Sequence, residues 1–206
     1  MAIGVDTAAH LVEEVVAVAE GQDLLHRHRL GGIGRLALAT AFPVEYGDML
    51  AHKLEGPALL EAEAAQFGLD HAALSGELLE DWGLPDIFHQ AVRHHEIPGE
   101  APFPAGSRAQ ALTAALHFAA KVGLLLTLDS SRRWERVPSL YQAAAQVGLE
   151  DHEVPPLVDA VVTQWQDWGR ELRLPTRDFS DIKNLLNMPP DPGGEAGLSA
   201  LVVLPM

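Results

Sequence analysis

The sequence predicts an all-α fold, a bundle of roughly seven to nine helices, on three observations. Apolar residues recur at three- and four-residue intervals through most of the chain, alanine is abundant, and the strands that a mixed fold would need are not found. That spacing gathers apolar side chains on one helical face, and alanine is the best helix former.

The elements follow in order. Residues 5–19 predict a first helix with Leu11, Val15 and Val18 on one side. Gly31, Gly32 and Gly34 interrupt residues 24–40, so the next helix is expected to start near Ile33, with Ile33, Leu36 and Ala37 sharing a face. A third runs from Pro57 to Gly68, carrying Leu59, Leu60, Glu63 and Phe67 three or four apart, because Pro suits a helix start and Gly a helix end.

Residues 68–85 are the best punctuated. Asp70 is placed to cap the helix, Leu69 and Leu74 to form a hydrophobic staple, and Gly83 to end it. The predicted stripe is His71, Ser75, Leu78 and Trp82, with Gly76 admitting a neighbouring element. Pro85 opens another helix bearing Ile87, Phe88, Ala91, Val92, His94 and His95, Pro98 stops it, and the two helices form a hairpin.

After a Pro- and Gly-rich loop, residues 109–126 read as a central buried helix with Leu112, Leu116, Ala119 and Ala120. Helices over 138–147 and 156–172 follow, the second with a core stripe of Val158, Val161, Val162, Trp165, Trp168 and Leu172. A short helix over 180–186 leads into the linker MPPDPGGEAG and then LSALVVLPM, which reads as a lone strand. One strand is not stable alone, so it is expected to pair with another copy or to begin a following domain. The expected organisation is a helical domain over 1–150, a helical extension over 151–187, and a linker with an apolar tail over 188–206.

Composition narrows the function. The 206 residues carry a net charge of −15, which repels phosphate backbones and anionic lipid, so neither nucleic acid nor a membrane surface is expected as partner. With no cysteine, strong metal ligands are limited to His, Asp and Glu. The first twenty residues lack Lys and Arg and place Glu13 and Glu14 in the apolar stretch, unlike a secretory signal. No apolar run is expected to reach the roughly 18 residues that span a bilayer. A cytoplasmic location follows as the expectation.

Among the ten histidines, His94 and His95 form the densest cluster. Adjacent helical residues point about 100° apart and cannot both face one ion without distortion. The favoured reading has one of them inside and the other at the helix C-terminus, where the dipole favours positive charge. His71, in the first turn of its helix, is expected to hydrogen-bond to a loop and orient the hairpin. His26 and His28, flanked by Arg27 and Arg29, read as a solvated basic spot. Ser75, Ser107 and Ser130 lack a nucleophile elbow. LGGIGRLAL is glycine-rich without a phosphate-loop pattern, so its glycines are read as serving turns or close packing. Paired carboxylates such as Glu13 and Glu14, or Glu61 and Glu63, carry no cleft signature, and most are expected on solvated helix faces.

The run IGRLALATAFPVEY (33–46), followed by E-x-x-x-FGLDHAALSGELLEDWGLPDIFHQAVRHHEIP (63–98), resembles the HDOD domain. That domain is a helical output module of bacterial signalling proteins related to HD-type phosphohydrolases. The resemblance covers about 33–126 and implies an HD-like bundle. It is carried by FG-x-DH, the LL-x-x-W-x-LP run and the downstream HH. HD enzymes hold divalent metal with histidine and aspartate, since a hard cation activating water requires carboxylate. Aligned on IGRLAL, Gly31 and Gly32 stand where the His-Asp pair would be, and Ala120 falls at the late Asp. A register ending LLH at His26 puts Arg27 in the aspartate place. The resemblance therefore implies a degenerate site, with no catalytic or metal residue assigned and His71, His94 and His95 left as remnants, ligand-site candidates or packing residues. Only about thirty residues precede the motif, implying a shortened N-terminal lobe.

The expected function is a non-catalytic signalling module that binds a signalling protein or an adjacent receiver or cyclase-like domain, with a homodimer also admitted and no cofactor. Two alternatives are a metal-dependent phosphohydrolase with an altered site, and a small-molecule sensor using the vestigial cavity.

Overall fold

A computed structural model of the chain describes residues 32–171, 173 and 179–186. These residues form nine α-helices, three 3-10 turns and no strand. The helices are α1 (Ile33–Ala41), α2 (Pro43–Ala51), α3 (Pro57–Phe67), α4 (His71–Asp81), α5 (Asp86–His94), α6 (Arg108–Thr127), α7 (Val137–Gln146), α8 (Val154–Glu171) and α9 (Ser180–Leu186). The helix expected over 5–19 and the linker and strand of 188–206 lie outside the described residues, as does Leu172.

Punctuation in the sequence maps closely onto these bounds. Pro57 starts α3, and Gly68 ends it in the left-handed conformation at φ +84°, which a residue without Cβ adopts at no steric cost. Asp70 caps α4, its Oδ1 accepting the N–H groups of Ala72 and Ala73, each at 2.8 Å. Gly83, at φ +75°, turns the chain into α5, and Pro98 opens a 3-10 turn beyond it.

α2 is not predicted by periodicity. Gly47 and the charged Glu45 and Asp48 break its apolar pattern, and the helix is set by Pro43 in its first turn and a single buried residue, Tyr46.

Three predicted faces are rotated: on α6 none of Leu112, Leu116, Ala119 and Ala120 is fully buried, and the faces of α4 and α1 turn as well. α4 lies between α1 and α5, so it buries His71, Ala72, Ser75, Gly76 and Leu79. Leu78 is half-buried and Trp82, past the last turn, is 58 % exposed. α1 buries Gly34 and Leu38, while Leu36 faces solvent. Gly34 is the contact point: a Cβ there would lie 2.0 Å from the His71 carbonyl oxygen, so only glycine permits this approach of α1 to α4. Gly76 faces α5, where a Cβ would meet Arg93 and the His89 carbonyl at 3.1–3.3 Å.

α6 packs on α5 and on α7. By length and composition it is apolar enough to cross a membrane, which the sequence was not expected to provide. Here Phe118, Val122, Leu125 and Leu126 are buried in a core with Leu140, Ala143 and Ala144 of α7, Val154, Val158 and Val162 of α8, and Phe179, Ile182 and Leu186. That cluster runs continuously across residue 150. The Arg133 guanidinium lies 5.1 Å from the centre of the Phe179 ring, and Tyr141 donates from its hydroxyl to the Leu186 carbonyl at 2.9 Å. On α8 the expected stripe holds for Val158 and Val162, whereas Trp165 sits at the edge of the core, 38 % exposed, with its ring 5.3 Å from that of Phe179.

Candidate functional site

Five elements converge on a chain of polar side chains at the α3–α4 junction. Glu63 lies on the inner face of α3, one turn after Leu59, and is fully buried. Its Oε1 accepts the Tyr46 hydroxyl at 2.8 Å. Its Oε2 accepts the His71 backbone N–H at 2.8 Å and pairs with the ring Nδ1 at 2.6 Å. Glu63 departs from the solvated faces expected for most of the paired carboxylates. Its helical phase, shared with Leu59, takes it inward instead, leaving Glu61 exposed.

His71, 1 % exposed, is pinned at the first turn of α4 by the Asp70 cap. Its Nε2 points to Glu96 Oε1 at 3.4 Å, and Arg35 of α1 donates to that oxygen at 3.2 Å. The His71 carbonyl accepts the Ser75 hydroxyl at 2.7 Å, and Ser75 Oγ accepts the Gly34 N–H at 2.9 Å. The sequence-level reading of His71 as an orienting residue understated this arrangement, which joins α1, α3, α4 and the turn after α5.

Burial disfavours charge throughout, but specific partners reverse it. For Glu63, desolvation is outweighed by the hydrogen bonds and charge of His71 and the Tyr46 hydroxyl, so its carboxyl is held below the usual range. For Glu96, His71, His95 and Arg35 overcome burial and hold the group at about 2. His71 is raised, since hydrogen bonds to Glu63 and Glu96 exceed the burial penalty. Burial and the adjacent carboxylate raise the Tyr46 phenol well above its usual value. The signs thus alternate from Glu63 to His71, Glu96 and Arg35.

His95 and His94 diverge as adjacent helical residues must. His95 is buried, donates from Nδ1 to the Val92 carbonyl at 2.6 Å and lies 3.9 Å from Glu96 through Nε2. His117 on α6 donates from Nδ1 to the His95 carbonyl at 2.7 Å. Burial lowers both rings, which favours their neutral forms. His94 is half-buried at the end of α5, edge-on to Phe103 at 5.6 Å, and is lowered by burial and by Arg93. His71 and His95 therefore meet at Glu96, and His94 stands apart. Of the implied degenerate positions, Gly32 precedes α1, Ala120 is half-buried on α6, and Gly31 lies outside the described residues.

Among the described residues no three His, Asp or Glu side chains are arranged to hold a metal ion. The donors present do not fit one, because both nitrogens of His71 and both oxygens of Glu63 already face protein partners. Sequence reading missed Glu63, Glu96, Tyr46 and Arg35. The α3 phase of Glu63 was the one available signal.

The fold and site define an all-helical bundle whose motif histidine is locked between carboxylates. Residues 7–98, a little under half of the 206, match the HDOD domain family model. The match begins nearer the N-terminus than the motif resemblance did and stops before α6. No curated protein and no solved structure matches the chain.

Proposed function

We propose that the chain is a non-catalytic output module of bacterial signalling, working in the cytoplasm through contact with a signalling protein or an adjacent domain. One observation carries this reading: His71, the histidine of the FG-x-DH motif, is buried with its two ring nitrogens directed at Glu63 and Glu96. A histidine so held serves as a strut between helices and has no nitrogen left for a substrate. The junction of α4 and α5 supports the interaction role, because Trp82 after α4 and Phe88 in the first turn of α5 are 58 % and 38 % exposed, and large aromatics are enriched where partners bind most strongly.

The test has two arms. Purified chain is incubated with Mg²⁺ or Mn²⁺ and nucleotides or cyclic dinucleotides, and no turnover is expected. Metal-dependent hydrolysis that disappears in Glu96→Gln overturns the reading. In a lysate pulldown, a signalling protein retained by the wild-type chain is expected to be lost with Trp82→Asp and kept with an exposed control such as Glu150→Ala.

A further inference from the structure

The α4–α5 junction gathers negative charge around an open aromatic. From Leu54 to Val92 the chain has no Lys or Arg. Four carboxylates of that stretch, Glu77, Glu80, Asp81 and Asp86, stand exposed before and after the exposed Trp82. Arg93 donates to Glu77 Oε1 at 2.7 Å. Asp86, with 84 % of its side chain exposed, meets an imidazole, His89 Nε2 at 3.4 Å. Among the described residues no cation pairs with Glu80 or Asp81.

The helix adds to this charge. Glu80 and Asp81 close α4, whose last turn carries no basic residue, and the carbonyl end of a helix is itself negative. Glu80, Asp81 and Asp86 stand within four residues of Trp82, at most about 14 Å of extended chain, and Gly83 folds that chain back at φ +75°.

We propose that this surface takes an arginine-bearing basic segment of a partner protein, with a guanidinium on the Trp82 indole and paired with the carboxylates beside it. The proposal rests on the junction being a contact surface, as read above, and names the partner's chemistry. Trp is the ring that best holds a cation. A guanidinium can stack on it while donating in pairs to carboxylate, which the compact ammonium of lysine does not match. A purely apolar partner strips water from the carboxylates and leaves them unpaired. A second copy of this chain arrives with its own net charge of −15, which repels.

A random peptide library displayed on phage is panned on the full chain at low ionic strength, and the enriched peptides are titrated by fluorescence anisotropy. They are expected to be net basic and to contain Arg, and changing Arg to Lys is expected to weaken them about fivefold. Trp82→Leu and the triple variant Glu80→Gln/Asp81→Asn/Asp86→Asn should each weaken binding about tenfold. Glu45→Gln/Asp48→Asn/Glu61→Gln removes the same charge from exposed sites on α2 and α3 and should change it less than about twofold. Equal losses in the two triple variants reduce the binding to general attraction by an acidic protein and overturn the proposal. So do enriched peptides without basic residues, the absence of enrichment, and self-association of the chain that Trp82→Leu abolishes. The broader reading is judged apart from this one. A captured signalling protein that is lost with Trp82→Asp yet kept by the junction triple variant leaves that reading standing and overturns the arginine assignment, whereas metal-dependent hydrolysis overturns the non-catalytic reading whatever the peptides do.

Discussion

Glu63 Oε2 receives His71 twice, through the backbone N–H at 2.8 Å and through ring Nδ1 at 2.6 Å. One carboxylate oxygen therefore fixes both the start of α4 and the orientation of its first side chain. Removing that carboxylate leaves a buried imidazole facing an apolar hole. Glu63→Ala is expected to cost about 3–5 kcal/mol, as breaking a buried ion pair does. Tyr46→Phe, which deletes one donor to the same carboxylate, is expected to cost about 1.5–3 kcal/mol. Urea denaturation of both variants checks the order.

Acid should unfold the protein through Glu96. Its folded value of about 2 lies below the ordinary 4.5, so its stabilisation is complete above pH 4.5 and is lost as pH falls towards 2. The stability difference between wild type and Glu96→Gln is expected to shrink over that window. A difference that stays constant from pH 5 to 3 contradicts the assignment.

His71 works in the opposite direction. Its folded value is raised, so its stabilisation is complete below the ordinary 6.5 and fades as pH rises through the folded value. His95 and His117 are lowered. They stabilise above 6.5, and that contribution fades as pH falls through their folded values. NMR titration of the imidazole signals is expected to show His71 protonating at a higher pH than either of the others.

Close approach of α1 to α4 makes Gly34 unforgiving. Gly34→Ala sets a methyl carbon 2.0 Å from the His71 carbonyl, and about 3 kcal/mol of destabilisation, or failure to fold, is expected. Gly123→Ala on α6 has open space around the new carbon and is expected to stabilise by about 0.5–1 kcal/mol, the ordinary gain of Ala over Gly in a helix. Thermal melts of the two variants should move in opposite directions.

Helix bounds were legible wherever a residue acts on its own neighbours. Asp70 caps through N–H groups two and three positions on, and Gly68 and Gly83 adopt positive φ whatever surrounds them. What lay beyond reading depended on partners far along the chain. Glu96 gains its role from His71, 25 residues away, and from Arg35, 61 residues away, and nothing in HHEIP announces either. Trp82 and Leu36 kept helical phase with their stripes yet face solvent, because periodicity gives the angle between residues and not which side a neighbour will occupy. The family resemblance was legible for the same local reason: its motif is mostly caps, turns and the glycines of close crossings.

With His71 protonated the alternating signs of Glu63, His71, Glu96 and Arg35 sum to zero, and in the formal net charge of −15, which counts histidine as neutral, the network accounts for only −1. The excess negative charge resides on the rest of the chain, much of it in water, where dissolved ions screen it within about 10 Å at 0.1 M. Ionic strength should accordingly tune how fast charged partners approach while leaving the buried polar chain, and the melting point it supports, nearly unmoved.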